Sequence, residues 1–217
     1  PFIEGAMSEL QPPHPGRIAA EVAKFINEEA PDWHLICDGG DASIWSAAQA
    51  TVRYPGQLIT FGPLGTIGTG GAFTTGAHMA DGKPVLYYSG DGSFGFYLGE
   101  WDTFARHKVP VVAVISNDSA WGMIKLGQQI KNSAYIEKNG HCAVLLEHMR
   151  AYHELPKMWG GVGVLVTRHE DIIPAIRKVR DSGLPGIVNV QCDETQMTPY
   201  TAKNYSKLSQ FNVMDTE

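Results

Sequence analysis

The feature that most constrains this chain is an alternation: a short apolar run, a turn rich in Gly, Asp or Asn, then a stretch with helical spacing, several times over. The apolar runs are Leu35 to Cys37, Leu58 to Phe61, Val85 to Tyr88, Val109 to Ser116, Val162 to Val166 and Ile187 to Val190. They lack the apolar–polar alternation of half-exposed strands, so they read as strands covered on both faces. Helical stretches are expected at Ser43 to Thr51, Gly70 to Met79, Tyr97 to Lys108, Val144 to His153 and Asp171 to Arg180. Ahead of them, Ile18, Val22, Phe25 and Ile26 recur at helical spacing behind Pro15, which predicts a surface helix over Pro15 to Glu29. Covered strands alternating with helices specify an α/β fold, an open parallel sheet flanked by helices.

The length, 217 residues, suffices for one well-buried core, and no repeat, linker or low-complexity tract divides it. Pro1 to Ala6 reads as a cloning remnant ahead of a natural start at Met7; 7–195 is the expected domain and 196–217 a C-terminal tail. On that reading the chain is a short, free-standing subunit, and the alternative is a fragment of a longer chain.

A formal charge of -6 offers no basic field for nucleic acid. Cys37, Cys142 and Cys192 are odd in number, scattered and without CxxC spacing, which points away from disulfides and from zinc or iron-sulfur ligation. No apolar run approaches the roughly 20 residues needed to span a bilayer. A soluble, cytoplasmic protein is expected. His78, His107, His148 and His153 sit in expected helices with no HxxxH or HExxH pattern, and no GxSxG elbow is present.

In open parallel sheets, ligands bind beyond the carboxyl ends of strands, so the turns after the strands carry the chemistry. In Ser89-Gly90-Asp91-Gly92-Ser93 the glycines let backbone approach a ligand closely, and Asp91 offers a carboxylate at a strand end. One helix and one strand later comes Asn117-Asp118-Ser119-Ala120-Trp121-Gly122-Met123. Two neighbouring strand ends can present oxygens to one hard cation, and Mg²⁺ favours oxygen ligands together with phosphate oxygens of its substrate. A GDG alone is equally a tight turn with a capping Asp; the second acid makes it a candidate diphosphate clamp.

The whole stretch GDGSFGFYLGEWDTFARHKVPVVAVISNDSAWGM, residues 90–123, resembles the thiamine-diphosphate enzymes, whose signature is GDG followed by Asn-Asn or a close variant. Within them it is most similar to the acetolactate synthase, benzaldehyde lyase and 2-hydroxyacyl-CoA lyase branch, and the likeness covers only the C-terminal, pyrophosphate-binding domain. That resemblance implies thiamine diphosphate and Mg²⁺ as cofactors. It implies Asp91, Asp118 and the Ala120 carbonyl as metal ligands, with Asn117 the fallback should the register slip by one. The family usually carries Asn where this chain has Asp118, which adds a negative charge beside the metal.

The same resemblance assigns further residues. Gly62-Pro63-Leu64-Gly65-Thr66-Ile67-Gly68 looks like the loop that holds the aminopyrimidine, Gly65 through its carbonyl and Ile67 as the wedge that bends the cofactor. Gly90, Gly92 and Ser93 belong to the diphosphate cradle. Gly40, Ala42 and Ser43, at the turn after the first strand, would reach the diphosphate through amides and a hydroxyl, while Asp41 would repel it unless turned away. Gly122 and Met123 would supply an amide and an apolar wall, with Trp121 either facing substrate or packed in the core.

The activating glutamate of such enzymes lies in a separate N-terminal pyrimidine-binding domain, for which this chain has no room. Glu100 sits on the helix after GDG and reads as a helix-cap or subunit-contact residue. The resemblance therefore implies a chain inactive alone, in a hetero-oligomer (α2β2 or higher) with a pyrimidine-binding partner. The expected reaction makes or breaks a C–C bond next to a carbonyl in a 2-oxoacid, 2-hydroxyketone or 2-hydroxyacyl-CoA. The alternatives are a thiamine-diphosphate oxidoreductase subunit, which the lack of clustered cysteines disfavours for iron-sulfur acceptors, and a catalytically silent regulatory subunit.

Overall fold

A computed structural model describes residues 1–208; the remaining nine, 209–217 of the expected C-terminal tail, lie outside the described residues. Six strands, β1 (His34–Asp38), β2 (Leu58–Thr60), β3 (Val85–Gly90), β4 (Val111–Asn117), β5 (Gly163–Val166) and β6 (Gly186–Gln191), form one all-parallel sheet in the order β2-β1-β3-β4-β6-β5. The helices are α1 (Phe2–Ala6), α2 (Pro15–Glu29), α3 (Gly40–Gln49), α4 (Gly70–Asp81), α5 (Asp91–Phe94), α6 (Glu100–His107), α7 (Gly122–Lys131), α8 (Ser133–Asn139), α9 (Ile172–Asp181) and α10 (Pro199–Leu208).

Burial explains why the four inner strands read as unbroken apolar runs, whereas the edge strands β2 and β5, expected to be covered on both faces, are only partly buried. Leu35, Cys37, Leu86, Tyr88, Val112, Val114, Val188 and Val190 face a core with α2, α3 and α9. Ile36, Val85, Tyr87, Val111, Ala113, Ile115 and Ile187 face a second core with Phe94, Trp101 and Phe104. Side chains on successive strand residues thus alternate between two dry faces. α2 matches its expected bounds: Pro15 starts it, and the His14 imidazole caps it by accepting from Gly16 N–H at 2.9 Å.

The turn after GDG is less regular than expected. α5, a short 3-10 turn over Gly95–Tyr97 and then α6 replace one helix from Tyr97 to Lys108. The expected helix over Val144 to His153 does not form. That segment is held as irregular chain against 119–121: Val144 C=O accepts from Trp121 N–H, Leu146 N–H donates to Ser119 C=O, and Met149 N–H donates to the Ser119 hydroxyl. Ala143 and Met149 take positive φ, which breaks helical continuity at both ends. A 3-10 helix over Tyr152–Trp159 follows, and the helices that sequence periodicity missed, α7 and α8, precede it.

The opening residues form α1, whose Phe2 ring packs edge-on against Trp45 at 5.1 Å. Cys37 and Cys192 are buried and Cys142 is exposed, all as free thiols. Among the described residues no helix is long and apolar enough to cross a membrane.

Candidate active site

The strand order places the site. From β1 the chain crosses to β2 on one side and returns to β3 on the other, so the outgoing turns of β1 and β3 diverge and leave a crevice at their carboxyl ends. Register lines up the strand ends: Asp38 pairs with Ser89, Gly90 with Ser116, and Asn117 with Gln191. A cavity of about 420 Å³ opens there, within the roughly 300–1,000 Å³ of small-molecule sites.

Its walls bring together Gly40, Ala42, Gly65, Ile67, Gly90, Asp91, Gly92, Ser93, Asp118, Ala120, Gly122 and Met123. Ser43 is the one expected contact residue off the wall; it lies buried beneath it, its hydroxyl without a hydrogen-bond partner in the structure. Trp121 lines the cavity, 37% exposed, with its ring against Phe96 at 5.7 Å.

Asp91 and Asp118 face this space from adjacent strands. Burial raises the pKa of both, and the charge of Asp118 drives Asp91 up further. Two carboxylates so placed share a proton or a cation. Asn117 does different work: fully buried, it donates to Asn189 Oδ1 at 3.1 Å and to Arg150 C=O, and accepts from Ser119 N–H. It shapes the turn, and Ser119 follows at φ 59°. The Asp118 carboxylate accepts from Ala120 N–H at 3.1 Å, which fixes that turn's second half.

Glycines set the clearances. A Cβ on Gly122 would lie 2.0 Å from an Asp118 oxygen, so only glycine fits beside that carboxylate. By contrast, a Cβ on Gly90 would project into open space, so neighbouring protein atoms do not demand glycine there, whereas a ligand pressed against backbone would; Gly65 is equally open but takes φ +72°, which by itself favours glycine.

These observations fit a metal-bound diphosphate. The N-terminus of α3 supplies amides and a positive dipole end. Asp41, whose charge would oppose an anion, is turned toward α10, where it accepts from the Thr198 and Thr201 hydroxyls at 2.9 and 2.6 Å and from Thr198 N–H at 3.2 Å. No group of three or more His, Cys, Asp or Glu side chains among the described residues forms a complete metal cage. A cation at Asp91 and Asp118 therefore needs oxygens from backbone, water and ligand, as Mg²⁺ on a diphosphate has.

The family described as "Thiamine pyrophosphate enzyme, C-terminal TPP binding domain" matches residues 38–190. The chain belongs to this family. A probable acetolactate synthase of Mycobacterium bovis is 34% identical over 190 residues, covering 87% of this chain and 33% of that protein. The 2-hydroxyacyl-CoA lyase 2 of Danio rerio is 33% identical over 172 residues, covering 76% and 27%. In fold the chain matches the Rhodococcus jostii RHA1 thiamine diphosphate-dependent 4-hydroxybenzoylformate decarboxylase with TM-score 0.68 at 22% identity, over 83% of this chain and 33% of that one. This TPP-binding domain thus spans about a third or less of the length of these relatives.

Sequence reasoning missed Asp38 and the Asp41–α10 contact. Asp38 ends an apolar run; two of its four partners are the amides of Gly68 and Gly70, 30 and 32 residues along the chain, which carry no side-chain signal.

Proposed function

We propose that this domain is the diphosphate- and Mg²⁺-binding half of a lyase or decarboxylase that cleaves or forms a C–C bond beside a carbonyl. The substrate class is a 2-oxoacid, a 2-hydroxyketone or a 2-hydroxyacyl-CoA; one relative is named a 2-hydroxyacyl-CoA lyase and the solved structure a 4-hydroxybenzoylformate decarboxylase. The observation that carries the reading is the convergence of Asp91 and Asp118 with the Gly65–Ile67 loop on one cavity at the switch point.

Asp91, Asp118 and the Ala120 carbonyl would hold Mg²⁺, with Asn117 committed to the turn behind them. Amides of the Gly90–Gly92 turn and the N-termini of α3 and α7 would take the diphosphate, with the buried Ser43 hydroxyl in the first turn of α3 as a reserve donor. Ile67 and Met123 would form the apolar walls that exclude water and orient the rings. When bound, thiamine diphosphate supplies a nucleophilic carbon that adds to a carbonyl and accommodates the charge released on C–C cleavage.

A separate pyrimidine-binding domain would complete the site. Glu100 packs its stem against Gly71 on α4 and does not line the cavity, so it is no substitute for an activating acid. Around the cavity, Leu64, Phe96, Trp121 and Ile124 are exposed large apolar side chains, 85%, 53%, 37% and 45% accessible, which a covering domain would dry. The test is to mix this chain with a candidate pyrimidine-domain polypeptide, thiamine diphosphate and Mg²⁺, and assay cleavage of 2-oxoacids, 2-hydroxyketones and 2-hydroxyacyl-CoA thioesters. Turnover only in the mixture is expected. A mixture that binds cofactor yet cleaves none of the three classes overturns the lyase reading.

A further inference from the structure

A single buried carboxylate connects the first strand to the loop on the far side of the cavity. Asp38, 1% exposed, ends β1. Its Oδ1 accepts from Gly39 N–H at 2.6 Å and Gly68 N–H at 2.9 Å; its Oδ2 accepts from Gly70 N–H at 2.8 Å and the Tyr87 hydroxyl at 3.3 Å. Four donors are thus aimed at one side chain, in a dry site where such bonds are strong.

Residues 62–66 are exposed, whereas Gly68 and Gly70 are buried, so the loop's tip hangs from an anchor that Asp38 grips. The anchor has no room to sit otherwise. A Cβ on Gly68, at φ +85°, would lie 2.6 Å from the Phe96 Cβ, and one on Gly70 would lie 2.3 Å from the Tyr87 ring. Gly70 also begins α4, whose N-cap Thr69 makes no side-chain cap, and Asp38 serves that helix start from a neighbouring strand.

We infer that Asp38 is a positioning residue for the ring end of the bound cofactor: by holding Gly68 and Gly70 it fixes Gly65 and Ile67 over the cavity, while toward α3 it accepts only the amide of its own neighbour Gly39 and does not itself line the cavity. The inference rests on the reading of the cavity as a thiamine-diphosphate site. Its consequence is a split between two ligands. Inorganic pyrophosphate with Mg²⁺ engages only the Asp91–Asp118 side, whereas thiamine diphosphate also needs the loop.

Asp38→Asn preserves volume but turns an NH2 toward at least one loop amide, so donor meets donor. Calorimetry on the full chain with Mg²⁺ should show Asp38→Asn losing about tenfold or more in thiamine diphosphate affinity while pyrophosphate affinity stays within about twofold. Equal losses for both ligands, or no loss for either, overturn the inference. So does a wild-type chain that binds pyrophosphate as tightly as thiamine diphosphate. A wild-type chain that binds neither ligand defeats the cofactor-site reading itself, and the inference with it. Hydrogen exchange on the wild-type chain tests the anchor even if the variant does not fold: Gly68 and Gly70 amides should exchange far more slowly than those of 62–66, and equal rates overturn the inference.

Discussion

At the scale of single residues, Asp91 and Asp118 make the apo domain sensitive to pH in a definite direction. Burial, and for Asp91 also the charge of Asp118, raises their folded pKa values above the unfolded value near 4. The folded state therefore holds protons at this pair that the unfolded state has released, so the pair's contribution to apo stability is greatest below about pH 4 and declines as pH rises toward the raised folded values. Thermal melts in EDTA should therefore show Asp118→Asn gaining stability relative to the wild-type chain as pH rises from 4; a difference that does not change with pH contradicts the pairing. Cation binding displaces those protons, so Mg²⁺ affinity should rise with pH, and calorimetry in buffers of different ionisation enthalpy should detect proton release. Gly122→Ala, which sets a methyl against the Asp118 carboxylate, should weaken Mg²⁺ binding in the presence of pyrophosphate by about tenfold or more. Asn117 and Asp118 should separate cleanly. Asn117→Ala strips buried hydrogen bonds and should cost about 2–4 kcal/mol in urea unfolding, whereas Asp118→Ala should abolish cation binding and leave the apo domain at least as stable at pH 8.

At the scale of elements, legibility followed the physics of each segment. Strands β1, β3, β4 and β6 were readable within a few residues because both of their faces are dry, which forces uninterrupted apolar runs. The turns at Gly90 and Asn117 were readable because a second acid follows GDG one helix and one strand later, a combination that a tight turn with a capping Asp does not require. α7 was not, since Gly122 and Gly127 dilute its helical signal. Both glycines answer to tertiary neighbours, Asp118 in one case and the Tyr205 ring of α10 in the other. The stretch 144–149 has the composition of a helix, but hydrogen bonds to Ser119 and Trp121 claim its backbone, a tertiary demand that local propensity cannot express. α10 likewise explains Asp41: three donors from Thr198 and Thr201 turn its carboxylate from the diphosphate cradle. Thr201→Val keeps the shape and removes the shortest of those bonds, so it should destabilise the domain by about 1–3 kcal/mol in urea unfolding; no change would mean that Asp41 does not depend on α10.

At the scale of the whole molecule, the proposed function makes this chain half of a site. Its sheet delivers the β1, β3 and β4 ends to a common crevice, and its loops rim that crevice with exposed apolar side chains. That crevice should bind a metal-bound diphosphate through Asp91. The most direct measurement is a calorimetric titration of thiamine diphosphate into this chain, with Mg²⁺, with EDTA, and with Mg²⁺ in the Asp91→Ala variant. Saturable binding that requires Mg²⁺ and disappears in the variant is the predicted result; binding indifferent to both the cation and Asp91, or none under any of these conditions, would contradict it.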